Sequence, residues 1–244
     1  YRYWSSVCSQ KARFCLCEKG VEWESHHIDL FTFDHWQPDY TKLNPKAVVP
    51  TLVHDDRVLI ESNIICEYIE DSFAGNTLCP GDSYTRAQIR LWLYDSEEIA
   101  HPNVNTCSHN PRHAPRLAKF SDAELEKMFE AHPNPVVRAR SIRRAIQGVS
   151  DEEENFAYAR LGEFLDKMEG ALADGPWLLG GEFTLADISA APYVNRIEVL
   201  KRPEMLSAAA RPRVADWWAA IQERPGFKDA FSFANPDPDD PVKR

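Results

Sequence analysis

Two hydroxyls and a thiol cluster at Ser5-Ser6-Val7-Cys8, immediately before a run with helical spacing. A hydroxyl at a helix start can donate to a sulfur anion, and a thiol there is itself acidified by the partial positive charge of the helix end. Two further pieces follow in order: Val48-Val49-Pro50-Thr51-Leu52, and Glu61-Ser62 at the head of a second helical pattern. Extended backbone beside a proline can pair with a peptide as an added strand does, and N–H groups opening a helix can hold a carboxylate.

Elements must position these groups. From Cys8 to Lys19 the spacing predicts a helix with Ala12, Cys15 and Leu16 on one face, and Gly20 stands where a helix ends. Tyr1 to Trp4 and Trp23 to Leu30 read as strands, the second with partial alternation at Trp23, Ser25 and His27, followed by an irregular stretch from Thr32 to Asn44. Thr51 to His54 and Val58 to Ile60 flank Asp55-Asp56 as a hairpin. A helix then opens with Ser62 as its cap and carries Ile64, Ile65, Tyr68 and Ile69 as an apolar stripe. The order is β-α-β, an irregular stretch, then β-β-α, an α/β layer over residues 1–80.

From Ser83 strand signals almost vanish, and residues 83–234 read as an all-helical domain before a loose tail at 235–244. Helical patterns cover Tyr84 to Ile99, Glu152 to Leu172 (with Phe156, Leu161, Phe164, Leu165 and Met168 apolar) and Arg213 to Arg224, the last ending at Pro225-Gly226. Ser121-Asp122-Ala123-Glu124 is a capping box. Thr184 with Asp187, flanked by Phe183 and Ile188, adds a hydrophobic staple to a second box, on a helix that must absorb Pro192.

Composition narrows the function. At 244 residues the chain can bury a sizeable core, and 43% hydrophobic with 27% charged residues is the balance of a globular protein. A net charge of −10 argues against nucleic acid or an anionic membrane as partner. The one basic cluster, Arg138, Arg140, Arg143 and Arg144, reads as a solvated or ion-paired helix face. No apolar run is long enough for a bilayer and no leader pattern opens the sequence, so a cytoplasmic protein is expected. The start without Met, inside a strand, points to residues preceding Tyr1. Six cysteines without paired metal spacing suit a reducing compartment, and Cys107, His109 and His113 match no standard site, so no metal is expected.

The Val-Val-Pro-Thr-Leu and Glu-Ser segments, followed by a helical domain with a Thr-x-x-Asp box, resemble the glutathione S-transferase superfamily across nearly the whole chain. Ser5-Ser6-Val7-Cys8-Ser9 running into Gln10-Lys11-Ala12-Arg13 is most similar to its serine-type branches, near the zeta class and the related reductive dehalogenases. Ile65 to Asp71 and the long insertion between Ile99 and Asp151 are similar to bacterial β-etherase-type members. The resemblance implies a thioredoxin-like N-terminal domain that binds glutathione as co-substrate, an all-helical domain forming the electrophile pocket, and a homodimer. It implies a cis bond before Pro50, Val49 backbone groups on the cysteinyl unit, Ser62 on the γ-glutamyl carboxylate and Glu61 on its ammonium. Lys42 or Lys46 would meet the glycyl carboxylate. Ser6 is in register as sulfur donor, with Ser5 the fallback, while Cys8 stands where related dehalogenases resolve a glutathione adduct. Ala47-Val48 departs from the family's common Gly followed by Gln or Lys, which puts the glycyl end in doubt.

Electrophile contacts are sought in Trp92, Tyr94, Asp95 and the stretch from Asn103 to His113, whereas Asp187 belongs to the fold as a capping carboxylate. Three functions compete. The first is a transferase that conjugates glutathione to a small aromatic electrophile or cleaves an ether with it. The second is a reductive dehalogenase or thiol-disulfide reductase using Cys8, and the third a non-catalytic binding protein on the same fold.

Overall fold

The first thirteen-residue helix, α1 (Val7–Lys19), is the hub of the molecule, packed between α3 (Ser62–Ser72) and two helices of the C-terminal half. A computed structural model describes residues 1–233, so the tail expected at 235–244 lies outside them. The short α2 (Pro38–Thr41) and the strands β1 (Thr51–His54) and β2 (Arg57–Ile60) complete the N-terminal part. Thr51 stands opposite Ile60 and His54 opposite Arg57, and Asp55 and Asp56 turn the hairpin with φ of 48° and 60°. Both central residues left-handed is the turn whose twist matches that of the strands.

The helical part runs through α4 (Ser83–Asp95), α5 (His101–Ser108), α6 (Ala114–Leu117), α7 (Asp122–Phe129), α8 (Pro135–Gln147), α9 (Asp151–Ala171), α10 (Leu185–Val199), α11 (Pro212–Glu223) and α12 (Pro225–Phe231). Both expected capping boxes form, Ser121 with Glu124 and Thr184 with Asp187. Asp187, fully buried, also accepts from Leu178 N at 3.0 Å and Trp217 Nε1 at 2.9 Å, tying three segments together. Pro192 lies inside α10. The arginines of α8 lie on a helix with no buried residue, where Arg143 meets Glu153 at 3.0 Å.

Several expectations are corrected. The strands at the N-terminus and at Trp23 to Leu30 shrink to one parallel bridge, Arg2 to His27. The chain turns at Trp4 and Ser5 into α1, which ends the pairing on that side of the bridge. Arg2 N–H bonds His26 O, Ile28 N–H bonds Arg2 O, and Thr51 N–H bonds Tyr1 O. Glu61, at φ 70°, occupies the cap position of α3 in place of Ser62, which is the first helical residue. Ile64 and Phe156 are exposed although their spacing placed them in stripes. The helix expected to reach Ile99 does so but widens into a π-helical turn at Ser96–Ala100 and runs on into α5, and Pro225-Gly226 opens α12 rather than ending the helical part. Proline at the first position of a helix forfeits no hydrogen bond, which is why it starts this one.

The burial of α1 goes well beyond one face. Lys11, Arg13, Glu18 and Lys19 are all buried with Ala12, Cys15 and Leu16, and each charge is answered. Lys11 Nζ donates to Asn63 Oδ1 at 2.7 Å, Arg13 Nε to Ala230 O at 2.9 Å, and Lys19 Nζ to Glu70 at 2.9 Å. Arg224 forks onto both oxygens of Glu18 at 2.9 and 2.6 Å. A buried charge without such partners would be prohibitively costly. The contacts of Arg13 and Glu18 fasten α1 to the C-terminal half, and those of Lys11 and Lys19 fasten it to α3.

Candidate active site

The turn before α1 is set by backbone and by distant arginines. Ser6 is the N-cap, its Oγ accepting from Ser9 N at 3.3 Å, and it is half-buried. Only one of its lone pairs is engaged there, so its own O–H stays available to the adjoining cleft. Ser5 is buried, its Oγ accepts from Arg112 Nη2 at 3.0 Å, and its carbonyl takes a bond from Arg196 Nη2. Cys8, half-buried in the first turn of α1, places Sγ 3.7 Å from Nε2 of His101.

The second element is the loop into β1. The Val49–Pro50 bond is cis. Val48 O is held by Tyr40 OH at 2.6 Å and Asn44 Nδ2 at 2.7 Å, and Ala47 takes φ of 55°, where glycine is the easier residue. Among the described residues the N–H and C=O of Val49 take no hydrogen-bond partner. The third is the start of α3, where Ser62 is buried beneath the cleft. Glu61 Oε1 meets Lys46 Nζ at 2.6 Å.

These pieces open onto one cleft of about 910 Å³, lined by Ser5, Ser6, Cys8, Val49, Pro50, Glu61 and Ser62 on one side. Lys46 lines it too, whereas Lys42 does not and is bound to Asp39 at 3.1 Å on the surface. The opposite wall comes from the helical part, with Asn105, Arg112, His113 and Arg196 among its residues. Within the stretch from Asn103 to His113 the structure therefore brings several residues to the cleft, but Trp92, Tyr94 and Asp95 line none of it. Trp92 is core, Tyr94 is exposed, and Asp95 is engaged by Lys167. A separate cavity of about 530 Å³ beside Tyr1, Arg2 and His54 shares only Pro50 with the candidate set.

Part of the lining is aromatic, from Phe31, His35, Trp36 and His113, between the charged side chains of the cleft. Burial and the neighbouring arginines, Arg112 first, keep His113 far below the ordinary imidazole range, and it stacks on Phe31 at 5.5 Å. Burial, aided by His132, pushes His35 down to about 4. Trp36 stacks on Phe33 at 4.3 Å. Neutral imidazoles and rings of this kind offer faces to an arene.

The electrostatic centre lies elsewhere, at Cys8. Burial alone would raise its pKa, but the charge of His101, the hydrogen bond to it and the charge of Lys11 together bring the thiol below its ordinary value. Burial works against the His101 cation, yet Cys8 and Glu97 push its pKa up to about 10. Glu97 is held low by its hydrogen bond to His101, whose Nδ1 lies 2.8 Å from Oε1. The ligand atoms of Cys8, Glu97 and His101 fall within 4.8 Å of one another. Sulfur and carboxylate nevertheless bond opposite nitrogens of the ring, which is a relay rather than a shell around one ion. Cys107, His109 and His113 form no such group among the described residues.

Glu97, His101, Arg112, Arg196 and the Phe31, His35 and Trp36 loop were not singled out one by one from sequence. The four-residue spacing of Glu97 and His101 was the one signal available for that pair.

Residues 5–72 match the family model described as the glutathione S-transferase N-terminal domain, and residues 115–220 that of its C-terminal domain. Protein LigF of a Sphingobium species is 29% identical over 95% of this chain and 91% of its own. Tetrachloro-p-hydroquinone reductive dehalogenase of Sphingobium chlorophenolicum is 30% identical over 96% of each chain. Glutathione S-transferase 3 of Zea mays is 32% identical over 87% of this chain and 83% of its own. The crystal structure of the β-etherase LigF superposes with a TM-score of 0.87 at 29% identity, covering 95% of this chain and 97% of that one.

Proposed function

The chain belongs to the glutathione S-transferase family and is a glutathione-dependent enzyme, and from that premise we propose how its own residues hold and use the thiol. The observation that carries the reading is that Ser6, the backbone groups of Val49, unpaired among the described residues, and the N-terminus of α3 open onto one cleft that the rings of Phe31, His35, Trp36 and a neutral His113 also line. Val49 pairs with the cysteinyl unit as an edge strand would. Ser62's hydroxyl and N–H receive the γ-glutamyl carboxylate, where the helix end favours negative charge. Glu61 receives the ammonium, and Lys46, paired with Glu61 at an exposed position, turns to the glycyl carboxylate.

Glutathione supplies the sulfur nucleophile that displaces the leaving group of the electrophile. Ser6 donates its O–H to that sulfur and favours the thiolate over the thiol. Phe31, His113 and Trp36 place an aromatic electrophile face-on, so the substrate class we assign is small arenes with a displaceable group, β-aryl ethers foremost. LigF, similar along nearly the whole chain, is titled a β-etherase, and this supports the choice. Retention on immobilised glutathione followed by turnover of β-aryl ethers and aryl halides tests it, and absence of thioether product from every arene would overturn it.

A homodimer through α4 also fits. Tyr84, Leu91 and Tyr94 are exposed on that helix, as Ile64 is on α3, and Arg90 reaches Glu67 of α3 at 2.8 Å. Among the described residues no helix is long and apolar enough to cross a membrane, and the six cysteines are free. Both are compatible with the cytoplasmic setting we propose.

A further inference from the structure

An ether and a halide differ in what leaves. A halide departs as a stable anion, whereas a phenolate, the base of an acid of pKa about 10, departs more readily as it takes a proton. In the reading above Ser6 directs its O–H at the sulfur, and Val49, Glu61 and Ser62 are engaged by glutathione, so that proton must come from elsewhere in the cleft. Between α4 and α5 the helix widens into a π-helical turn, Ser96–Ala100, in which His101 N–H reaches back to Ser96 O. One extra residue in a turn rotates everything after it by about 100° on a 3.6-residue helix, and such widenings gather at functional sites. Glu97, inside the turn, and His101, the first residue after it, both line the cleft with Ser6, Phe31, Trp36 and His113.

The imidazole is held from behind. Its Nδ1 lies 2.8 Å from Glu97 Oε1, and buried Lys11 stands 3.9 Å from the other carboxylate oxygen, which keeps Glu97 charged. Nε2 is left to face the sulfur of Cys8 at 3.7 Å, two residues past Ser6. The titratable groups about the ring are therefore Cys8 and Lys11 of α1, Glu97 of the widened turn, and Tyr193 of α10, whose ring centroid lies 6.3 Å from that of His101. Lys46 reaches Glu97 with its charge from across the cleft. Against the effect of burial, Cys8 and Glu97 hold the pKa of His101 at about 10, level with that of a phenol. Cys8 lies below the ordinary thiol value, so a phenolate forming in the cleft is a stronger base than its sulfur and takes the proton in preference to it. Burial keeps the other three imidazoles of the cleft, His35, His113 and His132, below the ordinary range, where they carry no proton to give at neutral pH.

We propose that His101 is the catalytic acid of ether cleavage in this cleft, giving its Nε2 proton to the departing aryloxy oxygen, with Glu97 the positioning residue that fixes the ring and β-aryl ethers of weakly acidic phenols as the substrates that need it. The glutathione thiolate attacks the carbon that bears the aryloxy group. A C–S bond forms, the C–O bond breaks, and its electron pair leaves on oxygen, which takes the proton from Nε2. The proton that the next glutathione gives up on becoming a thiolate restores His101, so the sum is thiol plus ether to thioether plus phenol. Cys8 forms no covalent bond in this sequence. The inference rests on the transferase reading above, because Val49 and Ser62 must seat the glutathione whose sulfur attacks.

Turnover at saturating glutathione is compared for an aryl halide, a β-aryl ether of 4-nitrophenol and a β-aryl ether of 2-methoxyphenol, in the whole protein and its variants. His101→Gln is expected to slow the 2-methoxyphenyl ether about a hundredfold, the lower end of what a general acid contributes. The halide and the ether of the far more acidic nitrophenol should lose at least about tenfold less, because their leaving groups are stable without a proton. Glu97→Gln should rank the three electrophiles in the same way with smaller losses. It should also bring the alkaline fall of ether cleavage, expected near pH 10 in the parent, to lower pH, since an acid must be protonated to act and loss of the carboxylate lowers the pKa of His101. Thermal melts and retention on immobilised glutathione show which variants fold, and if His101→Gln does not, the alkaline limb in Glu97→Gln decides. An equal loss for all three electrophiles in folded His101→Gln, or an alkaline limb that Glu97→Gln leaves in place, overturns the acid role and leaves the transferase reading standing. So does a parent protein that turns over the halide but neither ether. A parent protein that forms no thioether from any of the three overturns the reading and the inference together.

Discussion

Replacing Ser6 with alanine should have two separable effects, because its hydroxyl has two faces. As N-cap, Oγ accepts from Ser9 N at 3.3 Å, and loss of such a cap typically costs about 1 kcal/mol. For a chain of this size that is a fall in Tm of roughly 2–4 °C. As donor to the bound thiolate, the same hydroxyl makes a charge-assisted bond worth about 1.5–3 kcal/mol. Its loss raises the kinetic pKa of bound glutathione by roughly one to two units, so kcat/KM at pH 7 falls about ten- to hundredfold and recovers as pH rises past the new value. Ser6→Gly separates the effects, since glycine caps within a few tenths of a kcal/mol of serine yet donates nothing. It should melt near the parent and share the kinetic defect, while Ser6→Thr should retain both properties. The assay is kcat/KM from pH 5.5 to 9.5 with an aryl halide, alongside thermal melts. A lower Tm in Ser6→Ala with an unmoved pH profile would mean that the hydroxyl only caps α1. An equal alkaline shift in Ser5→Ala would transfer the donor role to Ser5, whose Oγ accepts from Arg112.

Ser62→Ala should weaken glutathione binding by about 1–3 kcal/mol by calorimetry, because a carboxylate at the start of α3 loses a hydroxyl donor, and unchanged affinity would remove Ser62 from the site. Asp187→Ala strands the N–H groups of Leu178, Thr184 and Trp217, and should lower stability by about 3 kcal/mol or more in denaturant titrations while glutathione affinity of the folded fraction holds. Sedimentation at micromolar concentration should show a dimer that Leu91→Asp dissociates. A single species at the monomer mass in the parent protein would refute the interface on α4.

Signals confined to a few neighbouring residues were legible from sequence and hold in the structure. Asp55-Asp56 turns the hairpin, Gly20 ends α1 at φ 67°, and each capping box closes within four residues of chain. Such motifs satisfy their own backbone groups, so no other part of the molecule needs to be known. The candidates for glutathione binding came from the resemblance to the family, whose proline loop and helix start are consecutive along the chain. Stripe positions were less secure. Ile64 and Phe156 follow the apolar rhythm of α3 and α9 yet face outward, since periodicity defines a face but not what covers it. The Trp23 to Leu30 strand failed for a related reason, since the chain turns at Trp4 and Ser5 into α1 and the bridge from Arg2 to His27 is not continued. What tertiary structure alone decided are the partnerships across the chain. Arg13 meets Ala230, Arg112 meets Ser5, and His101 meets Cys8 over separations of 217, 107 and 93 residues. Lys11 and Lys46 both look like ordinary lysines in sequence, but packing buries the first beside Glu97 and leaves the second exposed on Glu61. The charge state of Cys8 depends on an imidazole and a carboxylate that only the meeting of α1 with the widened turn after α4 brings within hydrogen-bonding distance, and nothing local to Ser5-Ser6-Val7-Cys8 carries that information.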